Sequence, residues 1–382
     1  MLEVRYDYDS LRDSVDTSLW RKRPLSIWRY EELLPLDRAS VKVSLGEGGT
    51  SLHRSIRLAE RLGLKKLHVK NEGENPTGSF KDRGMTVGVS KAVEIGAEKV
   101  VCASTGNTSA SLAAYAAKAG LECIVVIPSE KVALGKLAQA IVHGARVVQL
   151  EGSFDDALRV VLELAQSKTG LYLLNSINPY RLEGQKTLAY EVWDQLGGRV
   201  PDAVIVPVGN AGNISAIWKG FQDLNQLGLI SDLPRMIGIQ AEGASPIAEA
   251  FRRGLSKIDP VPNPETVATA IRIGSPASWK KALRAVRGSK GLVETVTDTE
   301  ILEAQRLLAR LEGIFVEPAS ASSVAGLKKL VEVGAVSRKE EVACVTTGHG
   351  LKDPEIIGRI CEKPITVSAD QSSIRRALGL NG

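Results

Sequence analysis

Lys81 is the residue whose type and setting most directly suggest chemistry. It lies in the run Asn75-Pro76-Thr77-Gly78-Ser79-Phe80-Lys81-Asp82-Arg83-Gly84, after a strand-like stretch, Lys66 to Lys70, and before an apolar-periodic one, Met85 to Ile95. Proline and glycine break the chain, and the lysine falls where a helix begins. The partial positive charge of a helix N-terminus disfavours an ammonium and favours the neutral, nucleophilic amine. Such an amine can form a Schiff base with a carbonyl. A Ser-x-Lys alone is also what a solvated lysine at a helix start looks like, so the reading depends on its company.

That company is a set of turns able to hold anions. Ser104-Thr105-Gly106-Asn107-Thr108-Ser109-Ala110-Ser111 follows the strand-like Val100–Ala103 and opens a helix. Its hydroxyls and free N–H groups suit a carboxylate, although simple N-capping would use the same residues. Gly209-Asn210-Ala211-Gly212-Asn213 follows Ala203–Val206. Its small residues let several N–H groups converge on one phosphate; the full G-x-G-x-x-G fingerprint of a dinucleotide fold is absent. In Asn175-Ser176-Ile177-Asn178-Pro179-Tyr180-Arg181 a guanidinium fork lies near Asn and Ser, a ready phosphate site, or a capped helix bearing a surface arginine. Thr347 precedes the Gly348-His349-Gly350 turn, and His349 inside that turn reads as a loop residue rather than an acid or base.

In chain order these blocks resemble the pyridoxal-phosphate enzymes of the tryptophan-synthase-β type, fold type II, and within them the threonine synthases. The resemblance covers roughly residues 45 to 355. It implies that Lys81 is the catalytic residue, binding pyridoxal 5'-phosphate and then acting as a base. It implies that Asn107 meets the cofactor's ring hydroxyl, that Gly209, Asn210, Ala211, Gly212 and Asn213 cradle its phosphate, and that Thr347 faces its pyridine nitrogen. A neutral hydroxyl there makes a weaker electron sink than an aspartate would, which suits elimination and replacement better than transamination. Ser104, Thr105 and Thr108 are implied for the substrate's carboxylate, and Asn175, Ser176 and Arg181 for its phosphate. The implied reaction converts O-phospho-L-homoserine and water into L-threonine and phosphate, in a cytoplasmic homodimer. The glycine turn Gly46–Leu52 matches the family's E-G-x-T-P-L entry except that Ser51 stands where proline is usual.

Two rivals stay open at this point. One is a dehydratase of threonine or serine, or a cysteine-synthase-like β-replacement enzyme, of the same fold. Such enzymes have no use for the Arg181 block, and dehydratases usually read S-A-G-N-H where Thr105 and Thr108 stand here. The other is a non-catalytic anion-binding module, which requires that Lys81 carry no cofactor.

The elements that would position these residues alternate. Strand-like runs at Val100–Ala103, Cys123–Ile127, Arg146–Gln149, Ala203–Val206, Met236–Gln240 and Val342–Val345 are separated by helical patterns. Those helices are expected at Arg54–Leu62, Thr108–Ala119, Val132–His143, Phe154–Gln166, Ala216–Leu227, Glu300–Glu312 and Ala319–Glu332. Continuous apolar strands spaced by helices predict βαβ units and parallel sheets covered on both faces, with ligands at the strands' carboxyl ends. The fold class expected is α/β, two doubly wound parallel-sheet domains. The resemblance adds that the smaller, residues 87–184, is inserted into the larger, 1–86 with 185–382, and that the cofactor lies in the cleft between them.

At 382 residues there is room for two cores. The net charge of +5 is dispersed rather than gathered into a stripe, so it does not argue for nucleic acid. Cys102, Cys123, Cys344 and Cys361 form no C-x-x-C pair, which argues for reduced thiols and against a zinc site. The N-terminus lacks a signal-peptide pattern, and no apolar run approaches about 20 residues. Residues 1–44 read as an irregular wrap over the core or a partner subunit, 243–292 as irregular with short helices, and the tail beyond Pro364 as weakly patterned.

Overall fold

The computed structural model describes residues 2–380 apart from 130–133, 153, 168–169, 357, 359–360 and 362–363. Among the described residues, ten strands form two sheets. β3 (Lys99–Ala103), β4 (Glu122–Pro128), β5 (Arg146–Leu150) and β6 (Leu171–Leu173) make a four-stranded sheet in the order β5-β4-β3-β6, every pair parallel. β1 (Leu52–Arg54), β2 (Lys66–Asn71), β7 (Ala203–Pro207), β8 (Arg235–Ala241), β9 (Leu292–Val296) and β10 (Glu341–Thr346) make the other, in the order β1-β2-β10-β7-β8-β9. Only β1 runs antiparallel to its neighbour.

The described residues also hold fifteen helices. They are α1 (Tyr8–Ser14), α2 (Thr17–Lys22), α3 (Ile56–Leu62), α4 (Lys81–Glu94), α5 (Asn107–Ala119), α6 (Leu134–Val142), α7 (Phe154–Gln166) and α8 (Pro179–Gln185). Then come α9 (Thr187–Gln195), α10 (Gly212–Gln226), α11 (Pro246–Arg252), α12 (Trp279–Gly288), α13 (Asp298–Leu307), α14 (Pro318–Glu332) and α15 (Gln371–Ala377). None is long and apolar enough to cross a membrane.

Alternation along each strand decides which helices it serves. Val204 and Val206 face a core with α9, α10 and α12, whereas Ala203 and Ile205 face one with α3, α13 and α14. The smaller sheet does the same, with α4, α5 and α6 on one face and α7 on the other. Both faces being covered, β7 and β10 are buried end to end, which is why they read as unbroken apolar runs.

Register places the turns. Thr346 pairs with Asn71, and Cys344 with Ile205, so the segments leaving β2, β10 and β7 emerge side by side. Those are the Lys81 run, the Thr347 turn and the Gly209–Asn213 turn. In the other sheet Val101 pairs with Leu173, so the Ser104 loop and the Asn175 block leave adjacent strands.

Several elements differ from expectation. Residues 1–44 carry α1, α2 and a 3-10 stretch, Ile27–Leu33, and are less irregular than predicted. Trp20 and Tyr30 meet edge to face, centroids 5.1 Å apart, in the core beside Trp193, which anchors the segment over this chain's own core. Arg54 belongs to β1, so α3 starts at Ile56. α10 begins four residues before Ala216, since the glycine turn itself supplies its first turn. The helix expected through Glu312 ends at Leu307 and widens into a π turn closed by Gly313 at φ +69°. Residues 243–292 hold a ten-residue helix, α12, and β6 and β9 answer to no predicted strand. Of the helix expected at Val132–His143, Val132 and Ala133 lie outside the described residues. Cys102, Cys123 and Cys344 are buried free thiols, and Cys361 is exposed.

Candidate active site

The Lys81 run is held from three sides. Gly78, at φ +79°, turns the chain and donates its N–H to the Asn75 carbonyl at 2.7 Å. Asp82 then locks the loop: it accepts from Thr77 N at 2.7 Å, Thr77 Oγ1 at 2.6 Å and Ser111 Oγ of α5 at 2.5 Å. Burial pushes the Asp82 carboxyl up to about 6, against those hydrogen bonds. On the third side Phe80 N donates to Thr347 O at 3.0 Å, and His349 N to Gly78 O at 2.9 Å. Lys81 is therefore clamped against the turn that follows β10.

The Lys81 amine lies over the Phe80 ring, 4.1 Å from its centroid, and has no hydrogen-bond or ion-pair partner among the described residues. Burial pushes it down to about 7; the charge of Arg181 adds to the fall and that of Glu317 opposes it. Near neutral pH a large share of the amine is thus neutral and nucleophilic.

Arg181 comes close because α4 and α8 cross on glycine. A Cβ on Gly184 would stand 1.8 Å from the Arg83 carbonyl oxygen, and one on Gly84 2.8 Å from the Arg181 carbonyl oxygen. α8 starts on Asn178, whose side chain accepts from Tyr180 N and Arg181 N, with Pro179 at its first position. The Arg181 side chain is fully buried. Its Nη1 donates to Leu174 O at 2.9 Å, while Nε and Nη2 have no partner among the described residues. Burial without a carboxylate pushes it down to about 10. An uncompensated buried cation costs several kcal/mol, so this guanidinium fits an anion brought in from outside.

Around this pair stand the remaining expected residues. Asn107 opens α5 and donates Nδ2 to both Glu317 oxygens, at 3.2 and 3.0 Å. Thr105, Thr108 and Ser176 are half-buried and have no side-chain partner among the described residues. Ser104 Oγ accepts from Gly106 N at 3.3 Å. Ala211, at φ +64°, is a non-glycine residue in left-handed backbone at the N-cap of α10, whose first N–H groups lack intrahelical partners and so suit a cradle for an anion. Asn213 lies in that cradle with neither side-chain polar atom satisfied. Gly209 is required, since a Cβ there would be 2.9 Å from Ile271 Cα. Thr347 Oγ1 sits 2.9 Å from Ser320 Oγ.

Two expected residues turn their side chains elsewhere. Asn175 bridges Ala103, accepting from its N and donating to its O, both at 2.9 Å, so its amide braces β3. Asn210 Oδ1 accepts from Ala277 N at 3.3 Å, leaving its backbone for the cradle. His349 Nδ1 accepts from Leu351 N, as a loop residue does.

Glu317 was not among the expected residues. Its signal in the sequence is a carboxylate immediately before Pro318, which starts α14. A lone amine, a cradle with an orphaned Asn213, a buried hydroxyl at Thr347 and an unpaired Arg181 together fit pyridoxal phosphate and a second anion.

Comparison with known proteins agrees. Residues 43–348 match the family described as "Pyridoxal-phosphate dependent enzyme". The threonine synthase of Methanocaldococcus jannaschii is 61% identical over 99% of this chain and 93% of its own length. That of Methanosarcina acetivorans is 57% identical, covering 99% and 92%. That of Mycobacterium bovis is 50% identical, covering 94% and 96%. Among solved structures, maize serine racemase superposes with a TM-score of 0.69 at 23% identity, over 87% of this chain and 92% of that one. The tomato (Solanum lycopersicum) threonine deaminase isoform 2 superposes with a TM-score of 0.70 at 20% identity, covering 94% and 89%. At such identities the two structures speak for the fold alone.

Proposed function

We propose that this chain, which belongs to the pyridoxal-phosphate dependent enzyme family and whose reaction is that of the threonine synthases, works at the cleft lined by Lys81, Asn107 and Arg181. The substrate is O-phospho-L-homoserine, and the products are L-threonine and phosphate. The observation that carries the substrate assignment is Arg181: fully buried, beside Lys81, with two guanidinium nitrogens unpartnered. An enzyme acting on unphosphorylated serine or threonine gains nothing from that arrangement.

Pyridoxal phosphate, when bound, supplies an aldehyde for an amine and a ring that delocalises the electron pair left at Cα when its proton is removed. The chain's residues supply the rest. Lys81 in its neutral form would hold the cofactor, and its amine, when free, is the base placed to take the Cα proton. The Gly209–Asn213 cradle binds the cofactor phosphate through N–H groups, while Asn107 and Thr347 orient the ring by its hydroxyl and nitrogen. Thr105 and Thr108 hold the substrate carboxylate. Arg181 and Ser176 hold the substrate phosphate and stabilise the charge that grows on its leaving oxygen as the electron pair of a Cβ–H bond expels it from Cγ; the proton lost from Cβ is made good at Cγ, and the water that then adds at Cβ gives its own proton to the phosphate. Kept there by Arg181, the released phosphate lies ready to orient the water that adds at Cβ. The cleft must exclude other water, or the reaction ends in deamination.

The division expected from the sequence, 87–184 inserted between 1–86 and 185–382, is supported by the four-stranded sheet being built wholly from Lys99 to Leu173. A homodimer in the cytoplasm completes the proposal; its three buried free thiols suit a reducing compartment.

The test is a steady-state comparison of O-phospho-L-homoserine with L-threonine and L-serine. The expected outcome is kcat/KM on the order of 10⁴-fold higher for the phosphorylated substrate, because a site built around a charged group rejects analogues lacking it. Comparable rates for serine would remove the assignment of Arg181.

A further inference from the structure

We propose that Glu317 is a positioning residue for this reaction, fixing which end of the Asn107 amide faces the cleft and serving as the counter-charge to Lys81. The inference rests on Lys81 carrying the cofactor, as argued above.

The geometry is that of a residue placed on purpose. Glu317 caps α14 in extended backbone (φ −65°, ψ 156°), with Pro318 next in line. Its own N–H donates to Gly348 O at 3.0 Å. Its side chain reaches so far under the turn after β10 that a Cβ on Gly348 would stand 2.7 Å from Oε1 and 3.0 Å from Oε2. Gly348 is therefore a glycine to make room for this carboxylate. At 4% exposure it forms no ion pair within 4 Å among the described residues. It accepts from Asn107 Nδ2, and Thr347 Oγ1 lies at 3.5 Å. One carboxyl thus touches the start of α5 and the turn after β10, two segments assigned to the cofactor ring.

A carboxylate only accepts hydrogen bonds, so the amide must turn its NH₂ toward Glu317 and its oxygen away. The second amide hydrogen is then left to donate to an acceptor in the cleft. Without Glu317 nothing stops Asn107 from flipping and presenting a carbonyl oxygen, which repels a ring oxygen instead of binding it. Glu317 also acts on Lys81. The charged groups around the pair are Arg181 of α8, which repels the ammonium, and Lys352 and Asp353 beyond β10, which attract and repel the carboxylate respectively. Burial pushes the Glu317 carboxyl up, so its charge is conditional, and with it the support it gives to a protonated Lys81.

Two variants separate positioning from mere support. Glu317→Gln keeps size and one acceptor oxygen but removes the charge; Glu317→Asp keeps the charge at shorter reach. Both are prepared as apoprotein, and the pH midpoint of Lys81 is read by mass spectrometry after brief reductive methylation. Glu317→Gln is expected to lower that midpoint by about one unit, and Glu317→Asp to leave it near the parent's. In the reconstituted protein, Glu317→Ala, Asn107→Ala and the double variant are compared for equilibrium affinity toward pyridoxal phosphate. The expected result is that the double variant is no worse than the poorer single one, since both remove the same oriented donor.

An unmoved Lys81 midpoint in Glu317→Gln, or additive affinity losses, overturns the inference. If Glu317→Gln does not fold, Glu317→Asp decides: a midpoint that drops as if the charge were absent counts against it. If borohydride fails to fix the cofactor to Lys81 in the parent protein, it is the underlying reading that falls.

Discussion

Arg83 and Arg181 sit on two helices that cross at a glycine contact, and both are fully buried. Behind the crossing, Arg83 forks between Glu72 (2.5 Å) and Glu191 (2.6 Å), and Lys70 joins the same Glu191 at 2.7 Å. Glu191 also accepts from Gly49 N, and Glu72 from Thr50 Oγ1, which ties down the turn Gly46–Leu52. Burial works against these charges, yet the pairing holds Arg83 well above its usual range and brings Glu191 down to about 2. In front of the crossing, Arg181 and Lys81 make no ion pair among the described residues, and burial depresses both, with only the more distant Glu317 opposing the fall of Lys81. An arginine at the same depth is fastened on one side and left open on the other. Satisfied charge marks the scaffold; unsatisfied charge marks where ligands go.

The contrast is broken most severely at Lys81. Lys81→Ala should abolish turnover, a loss of about 10⁴-fold or more in kcat, and leave the thermal unfolding midpoint of the apoprotein no lower than the parent's. Steady-state assay beside a melting curve checks both halves. Near-normal activity would mean that Lys81 is not the base.

The scaffold side should respond the other way. Arg83→Leu strands Glu72 as a buried carboxylate, leaves Glu191 with Lys70 as its one remaining cation, and should cost about 3–5 kcal/mol of stability. Denaturant unfolding measures it. If stability holds while activity alone falls, the two arginines have been given each other's roles.

How much of this contrast the sequence displays follows from whether the interaction is local. The Lys81 run is legible because proline and glycine punctuate it and a helical period follows at once. The strands at Val100–Ala103 and Ala203–Val206 are legible because burial on both faces leaves no polar residue to interrupt them. β6 is only Leu171–Leu173, shorter than any periodicity can register. Glu317 meets Asn107 across 210 positions and Asn175 meets Ala103 across 72, and no spacing rule reports such pairings. The start of α10 is hidden for a related reason. Gly209–Asn213 has the composition of a turn, and only the left-handed Ala211 makes it a helix entry. Tertiary contacts, rather than propensity, settle these cases.

Arg181 sharpens the comparison by a smaller amount. Arg181→Leu removes charge-assisted hydrogen bonds contributing about 1.5–3 kcal/mol each, or roughly tenfold to several hundredfold in kcat/KM for O-phospho-L-homoserine. Stability should stay level or rise, because an unpaired buried cation has been taken away. Bound cofactor should be unchanged, and inorganic phosphate should inhibit the parent competitively but the variant much less. Loss of cofactor instead would mean that the two anion sites are interchanged.

The smallest effect expected is in the pH dependence of stability, where the two regions should slope in separate windows. Glu191 has a folded value depressed to about 2 from an ordinary 4.5, so its stabilisation is present above 4.5 and is lost as pH falls toward 2. Lys81 is a base whose folded value is depressed from 10.5 to about 7. As pH falls below 10.5 the unfolded lysine takes a proton that the folded one refuses, so the apoprotein loses stability until about 7 and no more below it. Lys81→Met should remove that second slope alone. At pH 7 the variant apoprotein should melt about 2–4 °C above the parent, at pH 10.5 the two should converge, and the acid limb below 4.5 should be identical. A difference between parent and variant that is constant from pH 7 to 10.5 would mean that the gain comes from packing, and that the Lys81 amine is not held neutral by its cleft.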